Sequence, residues 1–316
     1  RSFIQSIKSF PINTEIRTVK TFTTVPRQIS LSPTPRIGTD LPAGLDAGVV
    51  TFEMNTSMIL LPEKPMRKRP FDKRVGYFAN SYEVFEEASH KADRDVFAVR
   101  WRLEPKSEED AERQKRGELI EPKKPIVYYI DPATPEKWRP YLKKGVEDWQ
   151  VAFEAAGFKN AFRVEVLPDS IDPLDVRYHV IQWVHRSTRG WSYGSSITDP
   201  RTGEIIKGHV SLGSLRIRQD YMIAQALSQQ PFASASSKQA LMDFALSRIR
   251  QLSAHEIGHT LGFAHNYAAS TREKSSVMDY PHPQLSLVDG KVSLDNAYET
   301  GIGAWDKVSV AYAYSS

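Results

Sequence analysis

The chain has no cysteine in its 316 residues. Disulfides, thiolate zinc sites and inhibitory switches that depend on a cysteine are therefore excluded. No apolar run approaches the ~20 residues that a membrane-spanning helix needs, so no transmembrane segment is expected. The formal net charge is only +4. That excess is too small to indicate nucleic-acid binding, and no nucleic-acid partner is expected.

The composition is otherwise that of an ordinary globular protein, with 40% hydrophobic and 25% charged residues. A chain of this length favours two domains, each large enough to bury a core. Neither length nor composition indicates an oligomeric state.

The first third of the chain has a period of two. Val50, Phe52 and Met54 alternate with polar residues, and prolines and glycines interrupt the pattern often. Alternation of this kind is typical of short strands joined by loops. Residues 1–103 are therefore predicted to form a β-rich N-terminal domain. Residues 104–124 are predicted to be an exposed connector, since 13 of these 21 residues are charged.

The remaining residues, 125–316, combine strands and helices. Strands are predicted at 126–130, 162–167, 176–185 and 203–214, from short apolar runs bounded by turn residues. One amphipathic helix is predicted with Thr134 as its N-cap and Pro135 as its first residue, and Gly157 is predicted to end it. A last helix is predicted with Trp305, Val308 and Tyr312 on one face and Asp306 as its cap. The predicted fold class is α+β or α/β, with a mixed twisted sheet and long helices.

A second long helix, with a stripe that includes Leu241 and Leu252, leads into the sequence HEIGHTLGFAHN at 255–266. On a helix, His255 and His259 lie one turn apart on the same face, and Glu256 lies beside them. Gly262 can adopt a left-handed conformation that ends the helix and lets His265 return as a third ligand. HExxH alone arises by chance in roughly one such chain in a hundred. The added glycine and third histidine lower that chance frequency by a further factor of ~700.

A second motif follows in SSVMDY, residues 275–280, which places Met278 thirteen residues after His265. With both motifs present, the chain resembles the metzincin clan of zinc peptidases, defined by HExxHxxGxxH and a later methionine-containing turn. It resembles more closely the bacterial secreted metzincin-like proteases in which a β-rich domain of unknown function precedes the catalytic domain. The stretches RPFDKRVGYF and EPKKPIVYYID contribute to that closer resemblance.

The resemblance implies roles for individual residues. His255, His259 and His265 would hold one catalytic Zn²⁺ in a cleft of the domain, and Met278 would be the turn methionine. Glu256 would be the general base and acid that activates a water molecule on the ion for hydrolysis of peptide bonds. Tyr280 would be a distal ligand or a donor to the oxyanion.

The resemblance also implies how a peptide or protein substrate would bind. GHVSLGS would be the edge strand of the sheet that pairs with an extended substrate, so Gly208, His209, Val210 and Ser211 are predicted substrate-binding residues. Pro281 would border the specificity pocket.

The resemblance and the hazard of a protease in the cytosol together predict an extracytoplasmic location: secreted, periplasmic or anchored at the surface. Arg1 in place of methionine is typical of a mature or excised chain, so a signal segment would lie outside these residues. The alternative function is a latent or inactive zinc-protease-like protein that binds a polymer or another protein. Asp72 is the candidate carboxylate for holding such an enzyme latent, and ordinary surface pairing with a neighbouring Arg or Lys is the alternative.

Overall fold

The computed structural model describes residues 2–23, 48–186, 191–228, 235–272, 275–280 and 282–315. Within 235–272, side chains are described from residue 238 onward. The chain divides into two compact units. The first unit is Arg1–Leu61 with Leu174–Val176, and the second is Pro62–Pro173 with Arg177–Ser316.

The first unit contains a three-stranded antiparallel sheet in the order β1-β2-β3. Its strands are β1 (Phe3–Ser9), β2 (Asn13–Thr23) and β3 (Val49–Ile59). The N-terminal region is therefore β-rich, as predicted. The registers place Ile4, Ile7, Met54 and Met58 on one face, because alternate residues of a strand share a face. Glu15 lies on the other face.

The second unit begins with a 3-10 turn (Lys73–Val75), the hairpin β4 (Ala79–Val84) and β5 (Asp93–Ala98), and α1 (Glu108–Lys115). Ser107 caps α1 by accepting a hydrogen bond from the amide of Asp110 at 3.2 Å. Within residues 104–124, Ile120 is 1% exposed. The division of the chain at 104–124 stays a prediction.

A five-stranded mixed sheet is the centre of the second unit, in the order β7-β6-β8-β10-β9. Its strands are β6 (Ile126–Ile130), β7 (Phe162–Val166), β8 (His179–Val184), β9 (Tyr193–Thr198) and β10 (Ile205–Gly213). Four strands are parallel and β9 is antiparallel to β10. The prediction that GHVSLGS lies at the sheet edge is wrong, because β10 pairs on both sides and the edge strand is β9.

The predicted helix that ends at Gly157 is two helices, α2 (Arg139–Glu147) and α3 (Gln150–Ala155), and Thr134 is not its cap. The break follows from contacts with the long helix α5 (Ala235–Thr260). The Arg250 guanidinium holds the Asp148 carboxylate at 2.5 Å, and the Trp149 indole donates to the carbonyl of Ala254 at 2.8 Å.

The remaining elements complete the second unit. They are α4 (Leu215–Leu227), a 3-10 turn (Tyr267–Thr271), the short hairpin β11 (Ser286–Val288) and β12 (Lys291–Ser293), and α6 (Ala304–Tyr314). The face of α6 that carries Trp305, Val308 and Tyr312 is not its buried face. Trp305 and Val308 are exposed, while Val310 and Tyr314 are buried. Asp306 caps this helix, as predicted, by accepting from the amide of Gly303 at 2.7 Å.

The main core lies between the five-stranded sheet and its helices. Trp149, Tyr128 and Ile181 are fully buried in it, together with Ile257 of α5. The core therefore fixes α5, and with it the histidine motif, against the sheet. No helix in the described residues has the length and apolar character to cross a membrane.

Candidate metal centre

Three histidines converge at the C-terminal end of α5. His255 and His259 lie on the helix with their ring centroids 4.8 Å apart. His265 follows the turn after the helix, and its Nε2 lies 3.0 Å from the Nε2 of His259. One potential ligand atom from each of the three residues lies within 4.8 Å of the others.

The hydrogen bonds of these rings fit a zinc ion. The carbonyls of Val277 and Phe263 lie 2.8 Å and 2.7 Å from the Nδ1 atoms of His255 and His259. Nδ1–H therefore donates and Nε2 is left free as a ligand, the usual support for metal-binding histidines. Two ligands of one tetrahedral zinc ion lie about 3.3 Å apart, close to the observed Nε2 separation. The residues present fit the ion.

The protonation state also suits a metal ligand. Burial lowers the pKa of His255 to about 3 and lowers the pKa of His259 and His265 as well. The imidazole must be neutral to bind a metal. Near neutral pH, all three rings are therefore available without first losing a proton.

The turn that brings back His265 depends on Gly262, whose φ is 101°. A side chain here would lie 3.0 Å from the carbonyl carbon of Val99, so glycine is required for both conformation and space. The amide of Phe78 donates to the carbonyl of Gly262 at 2.6 Å, and Gly76 accepts from the amide of Ala264 at 2.8 Å. Residues 76–78 therefore support the turn, although the sequence predicted them in the N-terminal domain.

The turn at Met278 packs beneath the helix. Met278 is 1% exposed. A Cβ at Gly258 would overlap the Met278 sulfur and lie 2.9 Å from Trp149 Cζ2. The carbonyl of Met278 accepts from the amide of Asn266 at 2.9 Å, which ties the residue after His265 to this turn. The sequence singled out neither Gly258 nor this contact.

Asp306 of α6 fixes the same turn. Its carboxylate accepts from the Ser276 hydroxyl at 2.6 Å and from the Val277 amide at 2.8 Å. Because the Val277 carbonyl supports His255, the last helix of the chain contributes to the position of a histidine on α5.

Glu256 is only 4% exposed. Burial raises the pKa of Glu256 to about 7, while the charge of Arg248 and a hydrogen bond from the Gly194 amide act in the opposite direction. A carboxyl group that titrates near neutral pH can both accept and return a proton. Gly194 is on the edge strand β9, and a Cβ there would meet the backbone of Glu256. Neither Gly194 nor Arg248 was predicted from the sequence.

Tyr280 lies beside the histidines. Its ring centroid is 4.4 Å from that of His265 and 5.7 Å from that of His255, and the residue is 56% exposed. Tyr267, which the sequence did not single out, places its hydroxyl 3.2 Å from the Nδ1 of His265. The Tyr267 hydroxyl is thus positioned to accept from the third histidine as the two carbonyls do from the others.

The residues predicted to bind substrate lie elsewhere in the sheet. Gly208, Val210 and Ser211 are buried and His209 is half-buried in the interior strand β10. Their backbone groups face strands on both sides, so this strand has no free edge for a peptide. Pro281 lies outside the described residues. A cavity of about 220 Å³ opens beside Tyr280 and Gln251.

The histidines, the turn at Met278 and Glu256 come together, whereas Asp72 pairs with a neighbour. Its carboxylate accepts from the guanidinium of Arg74 at 2.5 Å and from the Arg74 amide at 2.9 Å. This is the ordinary surface pairing that was the alternative to a role in latency.

Residues 237–316 match the family model described as Met-zincin. Residues 1–106 match the model described as a domain of unknown function (DUF5117). No curated protein and no solved structure compared with the chain matches it. The Met-zincin match and the three-histidine group together support a metzincin-like domain in the C-terminal part of the chain.

Proposed function

We propose that the protein is a zinc-dependent endopeptidase whose activity resides in the second unit. The observation that carries this proposal is the convergence of three neutral imidazoles beside a buried carboxyl group, Glu256, whose pKa is raised to about 7. A site that only bound zinc would have no use for an acid–base group held beside the ligands.

His255, His259 and His265 would hold the ion and leave one position open. Bound zinc supplies Lewis acidity, which makes water a nucleophile near neutral pH and polarises the peptide carbonyl. Glu256 takes a proton from the attacking water, whose oxygen forms a bond to the carbonyl carbon. Glu256 then returns that proton to the nitrogen as the C–N bond breaks, which yields an amine and a carboxylic acid that keeps the second proton of the water.

Tyr280 would donate its hydroxyl proton as a hydrogen bond to the oxyanion that forms at the carbonyl. A preorganised donor of this kind is worth about 3 kcal/mol. Its place beside His255 and His265 supports the role, and its exposure keeps the hydroxyl within reach of a substrate.

The substrate would be a peptide or protein bound in extended form along β9. In the described part of the chain, β9 pairs with β10 alone. Its second edge can therefore form backbone hydrogen bonds with a further strand. Gly194 sets this edge directly against Glu256, so a peptide on β9 would pass the acid–base group.

An extracytoplasmic site of action is part of the proposal, on the grounds of the resemblance and of the damage that such an enzyme would do in a cytosol. The family match over residues 237–316 supports a protease-like protein. Fractionation of the native cells would test the location.

The test is cleavage of a peptide library by the full chain, read by mass spectrometry, with zinc content measured in parallel. Glu256→Gln preserves shape and removes the base, so we expect zinc to remain and cleavage to fall by at least about 10³-fold. Glu109→Gln, on the exposed first turn of α1, is the matched control and should cleave normally.

Zinc bound at one ion per chain without any cleavage dependent on Glu256 would contradict the peptidase. It would favour the alternative function, a zinc-protease-like protein that binds a polymer or a partner. A native chain without metal would contradict the metal centre itself.

A further inference from the structure

A second cleft, of about 760 Å³, opens in the second unit away from the histidines. It lies between the C-terminal end of β8, the first turns of α4 and the N-terminal part of α5. Met242 is the last residue of α5 in its lining, and His255 is thirteen residues further along. At 1.5 Å per residue the two are about 20 Å apart along the helix. The cleft shares no residue with the metal centre or with the cavity beside Tyr280.

The walls of this cleft are largely aromatic. Trp138, Trp183 and Tyr221 line it together with Met242. Trp138 and Met242 are only partly buried against the main core, and Tyr221 packs on the smaller core around Phe244. Aromatic faces that remain open to a cleft provide contact area for a planar apolar group.

One polar group in the cleft has no partner. Trp183 is 5% exposed, and among the described residues its indole Nε1 has no hydrogen-bond acceptor. A buried donor left without an acceptor is unfavourable, and nearly all such groups in folded proteins are satisfied. The Nε1 atom has almost no exposed surface, so a molecule in the cleft would contact the indole ring and not this donor.

The charged side chains that line the cleft are positive. Arg218 and Lys238 are both exposed at the cleft, and no carboxylate is among its lining residues. Within the described ranges, neither cation has a carboxylate within ion-pair distance. The cleft therefore favours an anion, and a carboxylate matches the donor geometry of an arginine side chain.

We propose that this cleft binds the C-terminal residue of a peptide that ends in an aromatic side chain with a free carboxylate. The ring packs against Trp138 and Tyr221, and the carboxylate pairs with Arg218 and Lys238. One ligand of this class thus uses the apolar walls and the two cations together.

The test is calorimetric titration of the full chain with N-acetyl-glycyl-phenylalanine, in the Glu256→Gln background so that no probe is hydrolysed. The carboxamide of the same peptide removes the charge and should bind at least about 10-fold more weakly. N-acetyl-glycyl-alanine keeps the carboxylate and removes the ring, and should also bind at least about 10-fold more weakly.

Variants assign the binding to the cleft. Arg218→Gln with Lys238→Gln should weaken binding about 10-fold or more. Lys159→Gln, an exposed lysine outside the cleft, is the matched control and should leave binding unchanged. Circular dichroism checks that each variant is folded.

A carboxylate can also bind a metal ion directly, so the titration is repeated with His259→Ala. Binding that persists there supports the cleft, and binding that disappears overturns it. No binding of the free acid up to about 10 mM, or equal binding of the acid and the carboxamide, also overturns the proposal. None of these readouts depends on cleavage, so the cleft and the peptidase can fail independently.

Discussion

The two main sheets of this molecule contain similar residues and differ in what covers them. In the five-stranded sheet, Ile181 and Val210 are fully buried. In the three-stranded sheet, the apolar face is open, with Ile4 60% and Met58 59% exposed. On the opposite, polar face, Glu15 is only 4% exposed and accepts from Asn55 and Ser57 at 2.6 Å.

The difference teaches that alternation identifies which residues share a face and leaves open which face is buried. Burial requires a second layer, and in the five-stranded sheet the helices supply it. The residues of the candidate metal centre also lie in the unit whose sheet is covered. Lowered histidine pKa values and the raised pKa of Glu256 all result from burial, and all of these residues belong to the covered sheet's unit.

The largest expected effect is loss of the metal. All eight histidines lie between residues 90 and 282, so the first unit offers none. His259→Ala should lower bound zinc from one ion per chain to about none and cleavage by at least about 10³-fold. Metal analysis and peptide cleavage measure this. His90→Ala, an exposed histidine, is the control, and equal zinc in both variants would place the ion elsewhere.

The next effect separates the two sheets directly. Ile181→Ala should lower the free energy of unfolding by about 2–5 kcal/mol, because it leaves a cavity in a closed core. Met58→Ala on the open face should change it by less than about 0.5 kcal/mol. Urea denaturation followed by circular dichroism compares them. A cost above about 2 kcal/mol for Met58→Ala would mean that this face is covered in solution.

A smaller effect is expected at Asp306, which connects α6 to the turn at Met278. Asp306→Ala leaves the donors of Ser276, Val277 and Gly303 without their acceptor, and should cost about 1–3 kcal/mol. Asp306→Asn keeps an acceptor and should cost less. Unfolding and zinc affinity measured on both variants test this, and an unchanged affinity in the alanine variant would remove Asp306 from the support of His255.

The smallest effect is a dependence on pH at His179 of β8. Burial lowers the pKa of His179 from 6.5 to about 3. The unfolded chain therefore binds a proton that the folded chain does not, so stability present above pH 6.5 is lost as the pH falls towards 3. The slope is about 1.4 kcal/mol per pH unit.

His179→Gln removes the titrating group, so the variant should lose about 2 kcal/mol less than the wild type between pH 6.5 and pH 5. Urea unfolding at the two pH values gives the difference. Identical losses would show that His179 is not held neutral. His185→Gln, at the exposed end of the same strand, is the control.

The metal centre is the part that the sequence predicted best. The spacing of His255 and His259 predicts a shared helix face, and glycine at 262 predicts the turn to His265, which has the expected positive φ. These are local rules of helix geometry. The roles of Glu256 and Tyr280 stay predictions until activity is measured.

What the sequence did not predict depends on contacts between distant residues. The edge position of β9 is set by strand order, which alternation does not encode. At the break between α2 and α3, Asp148 pairs with Arg250, about a hundred residues away, and periodicity does not predict such a contact. The sequence places Trp305 and Val308 on one face of α6 but does not show that the face with Asp306 and Ser309 is the buried one.

Position 258 is unspecified in the motif HExxH, but in this structure the residue there must be small. Because the Met278 sulfur occupies the space of a Cβ there and the Trp149 ring is also too close, no larger residue fits unless both side chains give way. Gly194 restricts the facing strand in the same manner. A search for chains that share this architecture can therefore require HExGH together with a glycine at the start of the edge strand. An engineer who wishes to reshape this helix must therefore consider positions 149, 258 and 278 together.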